Sequence, residues 1–79
     1  MNDNDEINTL RRFGAQVRSI RLLRGISQEE LAHRCMLDRS YVGGVERGER
    51  NLGLLNILAI CTALEIKPSE LFEGWRDVE

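Results

Sequence analysis

Residues 25–51, GISQEELAHRCMLDRSYVGGVERGERN, hold two stretches of helical length, each with its own start signal and only a tight turn between them. Ser27 stands at an N-cap, and Glu30 follows three residues later, the spacing of a capping box in which hydroxyl and carboxylate reciprocally satisfy free amides. The inner face of this helix reads Leu31, Ala32 and Cys35, and Cys35-Met36-Leu37 makes the turn. Asp38 can cap the next helix by accepting its first free amides. Val42 and Val45 then face a core, and Gly48 ends the helix before a loop over 49–53. Two short, separately capped helices across a tight turn are the helix-turn-helix pattern.

The flanks supply what that pair packs against. Apolar residues at Ile7, Leu10, Phe13, Val17 and Ile20 recur every three or four positions and mark one face of a first helix. Gly25 offers the left-handed geometry of a C-cap. Ile57, Ile60, Cys61 and Leu64 repeat the helical spacing in a fourth helix, and Pro68, with Ser69 beside it, opens a fifth whose apolar side is Leu71, Phe72 and Trp75. No stretch alternates as a strand does. The expected fold is all-α, a compact five-helix domain. Its boundaries are a flexible acidic N-terminus over 1–7, the helix-turn-helix domain over 8–75, and a C-terminal tail over 76–79. A chain of 79 residues holds one such domain and leaves no room for a dinucleotide-binding fold or a barrel.

Net charge alone, -2, argues against a polyanionic partner. Its distribution argues the other way. Residues 11–50 carry nine arginines against five acids, while both flanks are acidic. Arginine is the cation suited to bidentate recognition of phosphate and of guanine edges. The second helix of the pair is short and polar on one side, so it can enter a major groove about 12 Å wide. Arg39 can fork onto guanine, Ser40 can reach a base or a phosphate, and Tyr41 follows them. Gly43 and Gly44 allow the backbone a close approach, although two glycines cost a helix about 1 kcal/mol each relative to alanine. Arg11, Arg12, Arg18 and Arg24 fall on outward faces of the first helix and are expected to be solvated.

Other chemistries lack their residues. Cys35 and Cys61 form no CxxC pair, His33 is the single histidine, and no nucleophile–base set or phosphate loop occurs. No metal site, cofactor or enzyme activity is expected. A second domain to hold a small-molecule effector does not fit, and no effector is expected. The N-terminus has acids where a secretory leader needs basic and apolar residues, and no apolar run nears the roughly 20 residues of a membrane span. A cytoplasmic location and no membrane partner are expected.

The tokens SQEELA at 27–32, DRSYVGGVERG at 38–48 and PSELF at 68–72 together resemble the Xre/lambda-repressor-like helix-turn-helix family over about residues 8–73. Within it, DRSYVGGVERGERN is similar to the controller proteins of restriction–modification systems. The resemblance implies a lambda-repressor-like DNA-binding domain. It implies that Gln28 contacts a phosphate and braces the recognition helix, that Arg39 and Ser40 read base edges, and that Tyr41 lies against the backbone or an edge base. It places Arg47, Arg50 and Asn51 at further backbone or base contacts. Family members often carry a longer polar side chain where this chain has Gly43 or Gly44, and Arg21 with Glu46 matches an internal salt bridge.

One recognition helix reads too few base pairs for genomic specificity, so two half-sites about 34 Å apart and a homodimer are expected. Leu54, Leu55 and Leu58 lie beside the core stripe of the fourth helix, and with Trp75 they are the candidate dimer interface. The expected function is a sequence-specific, homodimeric transcriptional regulator binding a double-stranded DNA operator, a controller protein acting on its own and linked genes. The alternatives are an antitoxin, a phage-type repressor, or the same fold used as a protein-interaction module.

Overall fold

The computed structural model describes residues 2–75, and the expected tail over 76–79 lies outside them. Five helices run α1 (Asp3–Leu23), α2 (Gln28–Cys35), α3 (Arg39–Glu46), α4 (Leu54–Leu64) and α5 (Pro68–Leu71), with no strand among the described residues. Helices of eight residues such as α2 and α3 are marginal alone in water, so their order must come from packing. It does: α3 packs on α1 and α2, α2 also packs on α4, and α5 closes the bundle against α1 and α4.

The core takes residues from every helix. Phe13 and Val17 of α1 meet Leu31 and Ala32 of α2, Val42 and Val45 of α3, Ile60, Cys61, Ala63 and Leu64 of α4, and Leu71 of α5. These include the inward residues that the spacing singled out in α2, α3 and α4, except Cys35 and Ile57, which are partly buried and pack against the core. Cys35 and Cys61 are free thiols, and burial pushes both above the usual thiol range. They therefore hold little thiolate and behave as small apolar residues.

Four local expectations need correction. The helix begins at Asp3, within the segment expected to be loose, because Asn2 caps it by accepting from the Asp5 amide at 2.9 Å. Asp3, Asp5 and Glu6 then stand at the positive end of the helix dipole, where acids are favoured. At α2 only half of the capping box forms. Ser27 Oγ accepts from the Glu30 amide at 3.0 Å, but the Glu30 carboxylate takes Arg34 Nε at 2.8 Å instead. At α3, Asp38 occupies the N-cap position without a side-chain cap hydrogen bond. Finally, α5 is a single turn, so Phe72 and Trp75 follow it rather than lying on its face.

One glycine sets the distance between α1 and α3. A Cβ on Gly14 would meet Val45 O, and would lie 2.7 Å from Glu46 O and 2.8 Å from Glu46 C. All of these are backbone atoms at the end of α3, so no side-chain rotation relieves the clash. Gly14→Ala should lower stability by about 1–3 kcal/mol, in the range of overpacking, despite alanine's better helix propensity. A urea midpoint equal to that of the parent would show that α1 and α3 do not cross this closely.

Candidate nucleic-acid interface

The recognition helix α3 is anchored from beneath by a buried ionic network. Arg21 of α1 donates from Nε to Glu46 Oε2 at 2.7 Å and from Nη2 to Glu46 Oε1 at 3.1 Å. Its third donor, Nη1, reaches Ile26 O at 2.9 Å, which ties in the loop between α1 and α2. Gln28, the first residue of α2, donates from Nε2 to Glu46 Oε1 at 3.0 Å. One carboxylate at the C-terminal end of α3 thus joins α1, the α1–α2 loop and α2. The hydrogen bonds that Arg21 donates to Glu46 hold its guanidinium more firmly protonated than usual, against the opposing effect of burial. No buried side-chain nitrogen or oxygen among the described residues lacks a partner.

The solvent side of α3 is graded along its length. Arg39 and Ser40, in its first turn, are exposed. No other described residue holds the Arg39 side chain in an ion pair, so its guanidinium is available to a ligand. Tyr41 is half-buried: its ring packs against the core, its hydroxyl accepts from Asn56 Nδ2 at 3.2 Å, and the Arg50 guanidinium lies 5.5 Å from its ring centre. Asn56 of α4 is a residue the sequence reading missed. It sits beside the leucine stripe and fixes the phenol, and no local pattern marks it.

Gly43 and Gly44 are buried in the middle of the helix. Two arginines beyond the helix end fold back over them. A Cβ on Gly43 would lie 3.0 Å from Arg47 Nη1, and one on Gly44 would lie 3.2 Å from Arg50 Nε. The glycines make room for cations of this same chain to cover the helix. Arg47 is held there by Glu49, with Nε to Oε2 at 3.1 Å and Nη2 to Oε1 at 3.1 Å. Gly48 provides the turn, with a φ of 77°. A Cβ there would also strike backbone and side-chain atoms of Arg11.

Residues 17–71 match the family described as Helix-turn-helix. The chain belongs to the Xre-like helix-turn-helix family. It is 47% identical over 62 residues to the control protein C.BamHI of Bacillus amyloliquefaciens, covering 77% of this chain and 76% of that one. The restriction–modification controller protein C.AhdI from Aeromonas hydrophila has a structure similar to this one at a TM-score of 0.81. It is 57% identical, with 82% of this chain and 98% of that one covered. The controller protein C.Esp1396I, solved as a tetramer in complex with its natural 35 base-pair operator, matches at a TM-score of 0.75 and 38% identity. That match covers 81% of this chain and 84% of that one.

Within this helix-turn-helix frame the candidate residues fall into three groups. Arg39, Ser40, Tyr41, Arg47 and Arg50 lie on or against α3. Gln28 reaches them from α2, its Oε1 being 3.6 Å from where a Gly43 Cβ would stand. Asn51 is exposed and lines a hollow with Thr9 and Leu10 of α1, beside Leu52 and Trp75. Leu54, Leu55 and Leu58 are exposed on α4, at 69%, 81% and 40% of their full surface. Trp75 stacks edge-on to Phe72 and lies under Arg12, 4.6 Å from its guanidinium carbon, so part of its surface is already used within the chain. Two of the α1 arginines expected to be solvated are tethered: Arg12 Nη2 donates to Gly74 O at 2.7 Å and Arg24 Nη2 to Glu65 O at 3.2 Å. Among the described residues no group of His, Cys, Asp or Glu could hold a metal ion, and no helix is long and apolar enough to cross a membrane.

Proposed function

We propose that this protein is a sequence-specific, homodimeric DNA-binding transcriptional regulator, a controller protein of a restriction–modification system that acts on its own and linked genes in the cytoplasm. The observation that carries this reading is the first turn of α3. There Arg39 and Ser40 stand exposed on a short helix held rigidly by the buried Arg21–Glu46–Gln28 network. A rigid element presenting a free guanidinium is what base-edge readout requires, since a bidentate contact tolerates little angular error. That C.Esp1396I, a similar structure, is solved in complex with its natural operator supports a DNA partner for this chain. Arg39 and Ser40 are assigned to base edges. Gln28, Tyr41, Arg47, Arg50 and Asn51 are assigned to the DNA backbone or flanking bases, and Leu54, Leu55 and Leu58, with Trp75, to the dimer contact. No cofactor, effector or catalytic step belongs to this mechanism.

The test is binding to the DNA upstream of the protein's own gene, compared with scrambled DNA of equal length at two salt concentrations. Preference for the native duplex is expected, with affinity falling steeply as salt rises. Equal affinity for both duplexes would leave only charge-driven association. The exposed α4 leucines favour one other reading, a protein-interaction module. Arg39→Ala separates the two. Under the DNA reading it should cost about 1–3 kcal/mol on the native duplex and relax selectivity at one base position. An equal loss on native and scrambled DNA would make Arg39 a phosphate contact, and no loss on either would favour the interaction module.

A further inference from the structure

The Arg47–Glu49 pair lies on the face assigned to DNA, where an acid is unfavourable. Glu49 is exposed, two residues from the arginine it holds, and both of its oxygens are engaged by that one guanidinium at 3.1 Å. This is the fork geometry with which a guanidinium also grips a phosphate. Arg47 itself lies across Gly43 in the middle of α3. We propose that Glu49 is a built-in stand-in for a DNA phosphate, masking Arg47 in the free protein and yielding it to the DNA backbone when α3 enters the groove. This rests on the DNA-binding reading above.

The exchange is physically easy. Both side chains keep more than half of their surface exposed, at 60% and 58%, and exposed ion pairs are worth little because water and salt screen them. A phosphate in a duplex brings a higher charge density than one carboxylate, and its capture releases condensed counterions, which the internal pair cannot do. The same two guanidinium donors therefore leave a weak partner for a stronger one. Arg50, beside the pair, also stabilises the Glu49 carboxylate, and the carboxyl sits below the usual range chiefly through its hydrogen bonds from Arg47. Both partners are therefore charged at neutral pH, as the pairing seen here requires. The consequence of this latch is a lower affinity for DNA in general: every binding event must first open the pair, so a cation that would otherwise hold any duplex is kept neutralised. A basic middle segment inside an acidic chain is restrained in the same sense.

The experiment is a double-mutant cycle on the full chain with Glu49→Gln and Arg47→Ala. Binding is read on the duplex upstream of the protein's own gene and on a scrambled duplex, across a salt series. Glu49→Gln alone should tighten binding by about two- to fivefold, the scale of an exposed pair. The log–log salt dependence should stay close to that of the parent, because Arg47 reaches the same phosphate in both complexes. In the Arg47→Ala background the same change should give a clearly smaller gain, because the hydrogen-bonded partner is gone and only the weaker charge coupling of Glu49 to Arg50 remains. An equal gain in both backgrounds would overturn the latch and leave only the repulsion of a nearby acid. No gain in the parent background would overturn it as well. Unchanged thermal melting of Glu49→Gln is expected and separates masking from a structural role. The DNA-binding reading fails independently, if the parent protein shows no preference for the native duplex.

Discussion

Replacing Glu46 by alanine is expected to be the most damaging single change to this chain, costing about 3–5 kcal/mol of folding stability. The carboxylate accepts from Arg21 twice and from Gln28 once, with its side chain 3% exposed and that of Arg21 9%. Its loss leaves a guanidinium buried without a counter-charge, and an uncompensated buried charge costs far more than a lost surface contact. A small domain has only about 5–15 kcal/mol in total, so much of the population could unfold. Chemical denaturation of Glu46→Ala should show the midpoint collapsing. Glu46→Gln, which keeps an acceptor and the shape, should lose less. The paired change Arg21→Met with Glu46→Leu should recover much of the loss, because two apolar residues of similar volume remove the stranded charge. A cost below about 1 kcal/mol for Glu46→Ala, typical of exposed pairs, would mean that the network is wet and not structural. Binding should also suffer beyond the unfolded fraction, since Gln28 loses the acceptor through which α2 braces α3.

How much of this was legible in the sequence differs between backbone and side chains. Helix positions and the core followed from apolar spacing, because burial of one face is what makes each short helix form. Gly25 and Gly48 announced their turns, since a positive φ favours glycine. The early start of α1 was hidden. Its first turn has no apolar residue, and the stabilisation comes from the Asn2 cap and from acids on the dipole, which look the same as a solvated tail. The half-formed capping box at α2 was hidden too, because Glu30 had two partners in reach and the i+4 arginine won. Gly43 and Gly44 were only half legible for a related reason. Adjacent glycines signal a close approach but not by what, and the approaching groups are arginines from beyond the helix end. Asn56 lay outside every local pattern because its partner, Tyr41, is fifteen residues away and on another helix.

Leu58→Glu should convert the proposed dimer to a monomer and lower affinity for the native duplex by about 10²- to 10⁴-fold, the range in which linked binding exceeds a single site. The α4 helix divides its apolar residues. Ile60, Cys61 and Leu64 are buried in the chain's own core, whereas Leu54, Leu55 and Leu58 face away from it. At 40% exposure Leu58 is the most inward of the three, at the edge where a second copy would meet the body of the domain. A two-fold interface presents the same patch from both subunits, so one substitution places two carboxylates in one apolar seam. Their desolvation and mutual repulsion oppose association without touching the monomer core, and circular dichroism of the variant should match the parent. Each half of a palindromic operator then binds separately, and the advantage of placing two recognition helices about 34 Å apart is lost. Sedimentation read alongside binding decides the matter. A halved mass with weakened binding supports the α4 seam. An unchanged mass removes α4 from the interface, and the partner surface must then be sought where Trp75 and the start of α1 meet. A halved mass with undiminished binding would mean that one recognition helix is enough, against the argument that a few base pairs cannot specify a genomic site.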